Sequence, residues 1–304
     1  MKPFRTHRVG LRGLDAHVLT WGEPTSPKLF LLHGWMDVAA SFQFLVDAFD
    51  HDWYLIAPDL RGYGKSEWQP QGYWFADYVG DLDALVDIYA PGEAVNLAGH
   101  SLGGNVVLHY AGVRPERARA VISLDGFGIP AEPSSAAPAK LAKWLDALKQ
   151  PQEFSPYAGF DAVADRLQRN NSRLSRDKAL FLAQHWAEQI DDGRVRLRSD
   201  PRHRLPFPTV YRVEESYAIW RNIAAPVLWV AASESQIPKW LDDHPEGEVG
   251  VDKLGAVRRR LEHIPGGRLV TISGAGHMLH HDQPAAVATA MENFLTEVSR
   301  REHR

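Results

Sequence analysis

Apolar residues fall in short runs along this chain, each cut off by turn-forming residues. Lys28 to Leu32 (KLFLL) stops at His33-Gly34, and Trp53 to Ala57 (WYLIA) stops at Pro58-Asp59. Ala94 to Ala98 (AVNLA) stops at Gly99, and Ala120 to Leu124 (AVISL) stops at Asp125-Gly126. Pro226 to Ala232 (PVLWVAA) and Arg268 to Ile272 (RLVTI) complete the set. These runs are rich in β-branched residues and do not alternate strictly with polar ones. That is the pattern of strands buried on both faces of a parallel sheet. Helical stretches, such as Phe75 to Tyr89 and Leu102 to Val113, lie between them, so the pattern predicts a mostly parallel, doubly wound α/β sheet. Arg8 to Trp21 alternates around a central Gly13 and predicts an antiparallel hairpin at the leading edge.

The alternation stops after Pro130. AEPSSAAPA reads as a linker, followed by three helix-like patterns at Lys140 to Lys149, Asp161 to Arg169 and Arg176 to Ile190. Strand signals return only at Pro226. A mostly helical insertion inside a parallel sheet predicts a cap over the sheet's carboxyl edge, where ligands bind in open α/β sheets. The expected division is a core of residues 1–130 and 221–304 and a cap of residues 131–220.

Composition narrows the chemistry. The chain has 304 residues, 44% of them hydrophobic and 24% charged, which suits a globular protein with a sizeable core. It has no cysteine, which excludes disulfides, a thiol nucleophile and thiolate metal sites. The formal net charge is -4, and no long basic block is present. Neither nucleic acid nor a membrane surface is therefore an expected partner. MKPFRTHRVG has no apolar run behind its basic residues, so the expected location is cytoplasmic.

One stretch carries chemistry directly. Gly99-His100-Ser101-Leu102-Gly103, with Gly104 after it, fits the G-x-S-x-G nucleophile elbow between a strand and a helix. Such a turn is too tight for side chains on its flanks and lifts the serine hydroxyl to a helix N-terminus, where free N–H groups favour an oxyanion. A serine nucleophile needs a base. Of 14 histidines, His277 stands in Gly274-Ala275-Gly276-His277, between the last predicted strand and a final helix starting near Pro284. That loop belongs at the same carboxyl edge as Ser101. His280 and His281 follow, but no carboxylate pattern accompanies them and no metal is expected. No organic cofactor is required either.

The series HGW, DLRGYGKS, GHSLGG, SLDGFG and GAGHMLHHDQP resembles the α/β-hydrolase fold across the whole core. Within the insertion, RLQRNNSRLS and RVRLRSDPRHRL resemble the cap of the serine hydrolase-like proteins. The resemblance implies an esterase-type serine hydrolase, with serine first and histidine last in chain order. It implies oxyanion donors at the backbone N–H groups of Trp35 and Leu102. His33, Gly34, Trp35, His100 and Phe127 are the residues expected beside the substrate. HGWMD also holds an H-x-x-x-D spacing ending at Asp37, read as incidental because His277 already fills the base position. Asp59 and Arg61 are read as loop ties rather than catalytic groups.

The acid departs from the usual pattern. Many relatives place it after the strand that here is Pro226 to Ala232, but the stretch reads Ala232-Ser233-Glu234-Ser235-Gln236. Glu234 is one residue off. Asp125, after the Ala120 to Leu124 run, also reaches the carboxyl edge, and some relatives carry an acid there. Asp125 is favoured over Glu234 by the geometric logic of a triad. The expected reaction is cleavage of a small-molecule carboxylic ester, lactone or thioester through an acyl-enzyme on Ser101. A carbon–carbon bond hydrolase with the same triad and a silent ligand-binding protein are the alternatives. Trp35, Phe127, Trp144, Phe154, Phe181, Trp186 and Trp220 are the aromatic candidates for an acyl pocket or for core packing. Oligomeric state is not legible.

Overall fold

A computed structural model describes residues 1–150, 152–190, 193–241 and 254–302. Eight strands form one sheet: β1 (Phe4–Leu11), β2 (Leu14–Trp21), β3 (Lys28–Leu32), β4 (Tyr54–Pro58), β5 (Val95–His100), β6 (Ala118–Leu124), β9 (Val227–Ala232) and β10 (Arg268–Ile272). Two short strands of the insertion, β7 (Ala187–Gln189) and β8 (Val195–Leu197), pair separately. The order in the large sheet is β1-β2-β4-β3-β5-β6-β9-β10. Strand β2 pairs antiparallel with both its neighbours, while every pairing from β4 to β10 is parallel. From β3 the chain goes first to β4 on one side and then to β5 on the other. That reversal opens a crevice at the carboxyl ends of β3 and β5.

The buried runs are buried because both faces of the sheet are covered. Phe30, Leu32, Ile56, Leu97, Val121 and Trp229 face one way, onto the helices Phe75–Tyr89 and Leu102–Val113. Leu29, Leu31, Leu55, Ala98, Ile122 and Val230 face the other way, onto the helices Gln43–Ala48 and Pro284–Glu302. The period of two sorts neighbouring residues of each strand onto opposite faces. Strand β10 differs from its sequence pattern: it is the sheet's edge, so Arg268, Val270 and Thr271 are exposed.

The insertion builds a core of its own. Val163, Leu167, Leu182, Ala183 and Leu197 pack together with Phe44 of the sheet domain below them. The helix pattern of Arg176 to Ile190 is cut short at Trp186, because Ala187 to Gln189 pairs with β8 instead. Period and propensity could not expose a three-residue pairing. The helix Val213–Trp220, within the span read as cap, packs on the helix Leu102–Val113: a Cβ on Gly112 would lie 2.2 Å from the Ile219 carbonyl oxygen. Trp220 is accordingly fully buried in the main core, not in a pocket. Among the described residues no helix is long and apolar enough to cross a membrane.

Candidate active site

Strand β5 runs straight into Ser101, whose backbone adopts φ 51° and ψ -111° before the helix Leu102–Val113 begins. Such a conformation costs a non-glycine residue of order 1–3 kcal/mol and persists only where the surroundings hold it. The glycines of the elbow show how tightly they do. A Cβ on Gly99 would lie 2.2 Å from the Gly103 carbonyl carbon, and one on Gly103 would lie 2.1 Å from the Leu32 carbonyl oxygen. The Ser101 N–H bonds the Leu124 carbonyl at 2.9 Å, which fastens the elbow to the end of β6. Leu102 is the first residue of its helix, so its N–H has no helical acceptor.

The loop after β3 crosses over this serine. A Cβ on Gly34 would lie 3.3 Å from Ser101 Cβ and 2.9 Å from His100 Nδ1, so glycine permits the close passage that brings Trp35 alongside. The ring of His100 is buried, and its Nε2 bonds the His277 carbonyl oxygen at 2.8 Å. His33 and Phe127 do not face substrate space. His33 is wholly buried: its Nδ1 bonds the Gly34 carbonyl at 2.8 Å, and its Nε2 accepts the Leu60 N–H at 2.9 Å. Phe127 is wholly buried against Trp229. Both lie directly behind the site, and sequence adjacency cannot separate the front of a loop from its back.

Asp125 directly follows β6 with φ 50°, fully buried, its N–H on the Val230 carbonyl. One carboxylate oxygen, Oδ2, accepts from His277 Nδ1 at 2.7 Å and from the Ser235 hydroxyl at 2.5 Å. The other, Oδ1, accepts the Ala232 N–H at 3.2 Å. Ser235 therefore occupies the stretch where an acid is expected after β9, and it binds the carboxylate that β6 supplies. Glu234 is elsewhere engaged: it is half exposed and ion-paired with Arg173 of the insertion. The His277 ring is one-third exposed, its edge open to the cavity beside Ser101.

Ser101 lines two cavities, of about 580 Å³ and about 510 Å³. Trp35 lines both, Trp144 the larger, and Phe154 and Trp186 the smaller. Phe181 lines neither; it packs on Phe44 and His185. The loop ties expected of Asp59 and Arg61 are present: Asp59 accepts His17 Nδ1 and the Ala39 and Lys65 N–H groups, and Arg61 grips Asp81 through two bonds.

Asp37 is the residue that sequence reasoning set aside. Its carboxyl accepts the Val38 N–H at 2.9 Å and Trp186 Nε1 of the insertion at 3.1 Å, so it links the loop over Ser101 to the insertion. Burial raises its pKa to about 7. It also supplies the carboxylate that seemed to be missing beside His280 and His281: possible ligand atoms of the three lie within 4.8 Å of one another. Ser41 stands among them, its hydroxyl 2.6 Å from His281 Nε2, so hydrogen bonding holds the cluster together. The H-x-x-x-D spacing was the one signal that could have drawn attention to Asp37.

Burial keeps several of these histidines neutral. The pKa of His33 is lowered to about 4 and that of His281 to about 3, and His100 and His280 are lowered as well. The unfolded chain therefore takes up protons first as pH falls below 6.5, and stability is lost from there downward. His33 alone accounts for about 3 kcal/mol across that range. Asp37 works oppositely, since its raised pKa relieves strain as pH falls through 7, but it is one group against four. We expect the free energy of unfolding to drop by at least about 2 kcal/mol between pH 7.5 and pH 5. Denaturant titrations at the two values check this; an equal or higher stability at pH 5 contradicts it.

Comparison with known proteins agrees with this architecture. The family described as alpha/beta hydrolase fold matches residues 27–284, and the chain belongs to it. The chain is 32% identical over 290 residues to a probable serine hydrolase of Drosophila melanogaster, covering 91% of this chain and 83% of the relative. It is 25% identical over 285 residues to a serine hydrolase-like protein of Danio rerio, covering 90% and 83%. A crystal structure of a hypothetical protein from Pseudomonas aeruginosa PAO1 superposes with a TM-score of 0.81 at 27% identity, covering 96% of this chain and 99% of that one.

Proposed function

We propose that this chain is a serine hydrolase that cleaves a carboxylic ester, or a related lactone or thioester, through an acyl-enzyme on Ser101. The observation that carries this is the pairing of a strained, glycine-flanked Ser101 with a His277–Asp125 hydrogen bond of 2.7 Å at the same sheet edge. The names of the Drosophila and Danio relatives, a probable serine hydrolase and a serine hydrolase-like protein, point the same way.

In this reading His277 takes the Ser101 proton as the hydroxyl attacks the carbonyl carbon. The developing oxyanion is held by the N–H groups of Leu102, free at its helix start, and Trp35. His277 then gives its proton to the leaving alcohol. A water deprotonated by the same ring releases the acid and restores the serine. Asp125 holds the ring with Nδ1 protonated, so that Nε2 faces the serine as a base, and it stabilises the imidazolium that forms. No step calls for a metal or organic cofactor. The substrate is a small molecule taken up under the cap, and the site of action proposed is the cytoplasm.

The test is hydrolysis of p-nitrophenyl esters of increasing acyl length, with fluorophosphonate labelling beside it. Wild type is expected to turn over and to be labelled, and Ser101→Ala to lose both. A wild type inert toward every ester and unlabelled at Ser101 would overturn the reading in favour of a silent ligand-binding protein.

A further inference from the structure

The two cavities that meet at Ser101 are chemically unlike. Trp35, Ser101 and Arg204 border both. The larger is walled by Trp74, Phe75, Trp144, Leu148, Phe207 and Trp240. The smaller has Arg166, Asn170 and Arg204 at its cap side and His277 with Met278 at its floor. We propose that the smaller cavity is an anion subsite built by Arg166 and Arg204, so that the substrate joins an apolar arm to an arm bearing a carboxylate. This rests on the serine hydrolase reading of Ser101.

The charge balance of the cap is the ground for it. Arg173, Arg176, Arg196, Arg198 and Arg202 each stand against a carboxylate. Among the described residues Arg166, Arg169, Arg204 and Arg212 have no such partner, and of these four Arg166 and Arg204 are the ones that line the smaller cavity. Arg166 bonds the Tyr157 hydroxyl and lies 5.8 Å from the centre of that ring. Arg204 lies 5.7 Å from the centre of the Phe154 ring. An aromatic face positions a guanidinium without neutralising it, which leaves its fork of donors for a planar anion. A guanidinium facing a cavity with donors left over, as Arg166 has beyond its Tyr157 bond, matches a carboxylate in charge and geometry. The smaller cavity contains one opposing group, Asp37, at its inner wall. That carboxyl already accepts from Trp186 and Val38, and burial favours its neutral form, so two cations outweigh it. The third arginine near the larger cavity, Arg202, is spent on Asp200 at 3.0 Å.

The experiment compares monooctyl adipate, which carries a free carboxylate, with methyl octyl adipate, its neutral counterpart, by octanol release. For wild type we expect kcat/KM at least about tenfold higher for the monoester, the size of one or two charge-assisted hydrogen bonds. In Arg166→Gln/Arg204→Gln that ratio should fall toward one, with most of the loss in KM. Arg204 is exposed, so the single Arg204→Gln is carried alongside in case the double variant folds poorly. Equal rates on the two esters, or a preference that survives both variants, would overturn the anion subsite and leave the hydrolase reading standing. If Ser101 is labelled by a fluorophosphonate but neither ester is cleaved, protection from labelling supplies the readout. Protection by the monoester that the arginine variants lose supports the subsite, and its absence refutes it. If neither ester is cleaved and Ser101 is not labelled, the hydrolase reading fails and the subsite proposal falls with it.

Discussion

Asp125→Asn should lower kcat on any ester the wild type cleaves by about three to four orders of magnitude, the size expected when a triad base is held in the wrong tautomer. The backbone gives little reason for the variant to unfold. Asp125 sits at φ 50°, and asparagine is among the few residues that tolerate this region. What changes is the hydrogen bonding. Oδ2 accepts from both His277 Nδ1 and the Ser235 hydroxyl, while Oδ1 accepts the Ala232 N–H. An amide has one acceptor oxygen and one donor nitrogen, so it cannot satisfy all three donors. If its oxygen stays on Ala232, its NH2 faces Nδ1 and forces the proton onto Nε2, where the base must be free. Glu234→Gln should change kcat less than about twofold, because it removes only a half-exposed ion pair with Arg173. Steady-state kinetics on the three proteins decides the matter. A collapse in Glu234→Gln, with Asp125→Asn near wild type, would reverse the assignment.

Ser235→Ala extends the same logic with a smaller effect. It removes one donor to Asp125 and leaves the His277 bond in place. The carboxylate is then held by one bond fewer, so kcat should fall by less than about tenfold in the same steady-state assay.

The fold was largely legible because its strands are short, apolar and separated by helical spans. The two faces of the sheet then follow from the period of two. The elbow was legible for a steric reason: only glycine fits at positions 99 and 103, so the constraint is written in the sequence itself. His277 was legible from its place after the last strand. The acid was not. A carboxylate at the end of β6 and one after β9 occupy nearby ends of neighbouring strands, and nothing local says which one the histidine ring will meet. The fold distinguishes them by pairing Glu234 with Arg173 of the insertion and Asp125 with His277. His33 and Phe127 were misplaced for a related reason. They adjoin residues that face the cavities, but their own side chains point into the protein. Asp37 escaped because its partners, Trp186 and the His280–His281 pair, are remote in sequence.

The elbow's steric demand can be turned into a stability measurement. Gly103→Ala should destabilise the protein by more than about 4 kcal/mol, the range in which core clashes and strained backbone fall. The added Cβ would lie 2.1 Å from the Leu32 carbonyl oxygen and 2.7 Å from that of His33, both main-chain atoms at the end of β3. Neither can rotate away as a side chain could. Relief requires β3 and the helix Leu102–Val113 to separate, and β3 is a central strand hydrogen-bonded on both sides. The same movement would pull the Gly34–Trp35 backbone off Ser101. Thermal unfolding and fluorophosphonate labelling of the folded fraction should therefore fall together. Gly10→Ala is the control: no atom lies within 4 Å of a Cβ there, so a similar loss in both variants would show that the penalty does not come from the elbow. Should Gly103→Ala unfold within a few degrees of wild type, the close approach of elbow and β3 would be wrong. The oxyanion geometry proposed for Trp35 and Leu102 would then lose its structural footing.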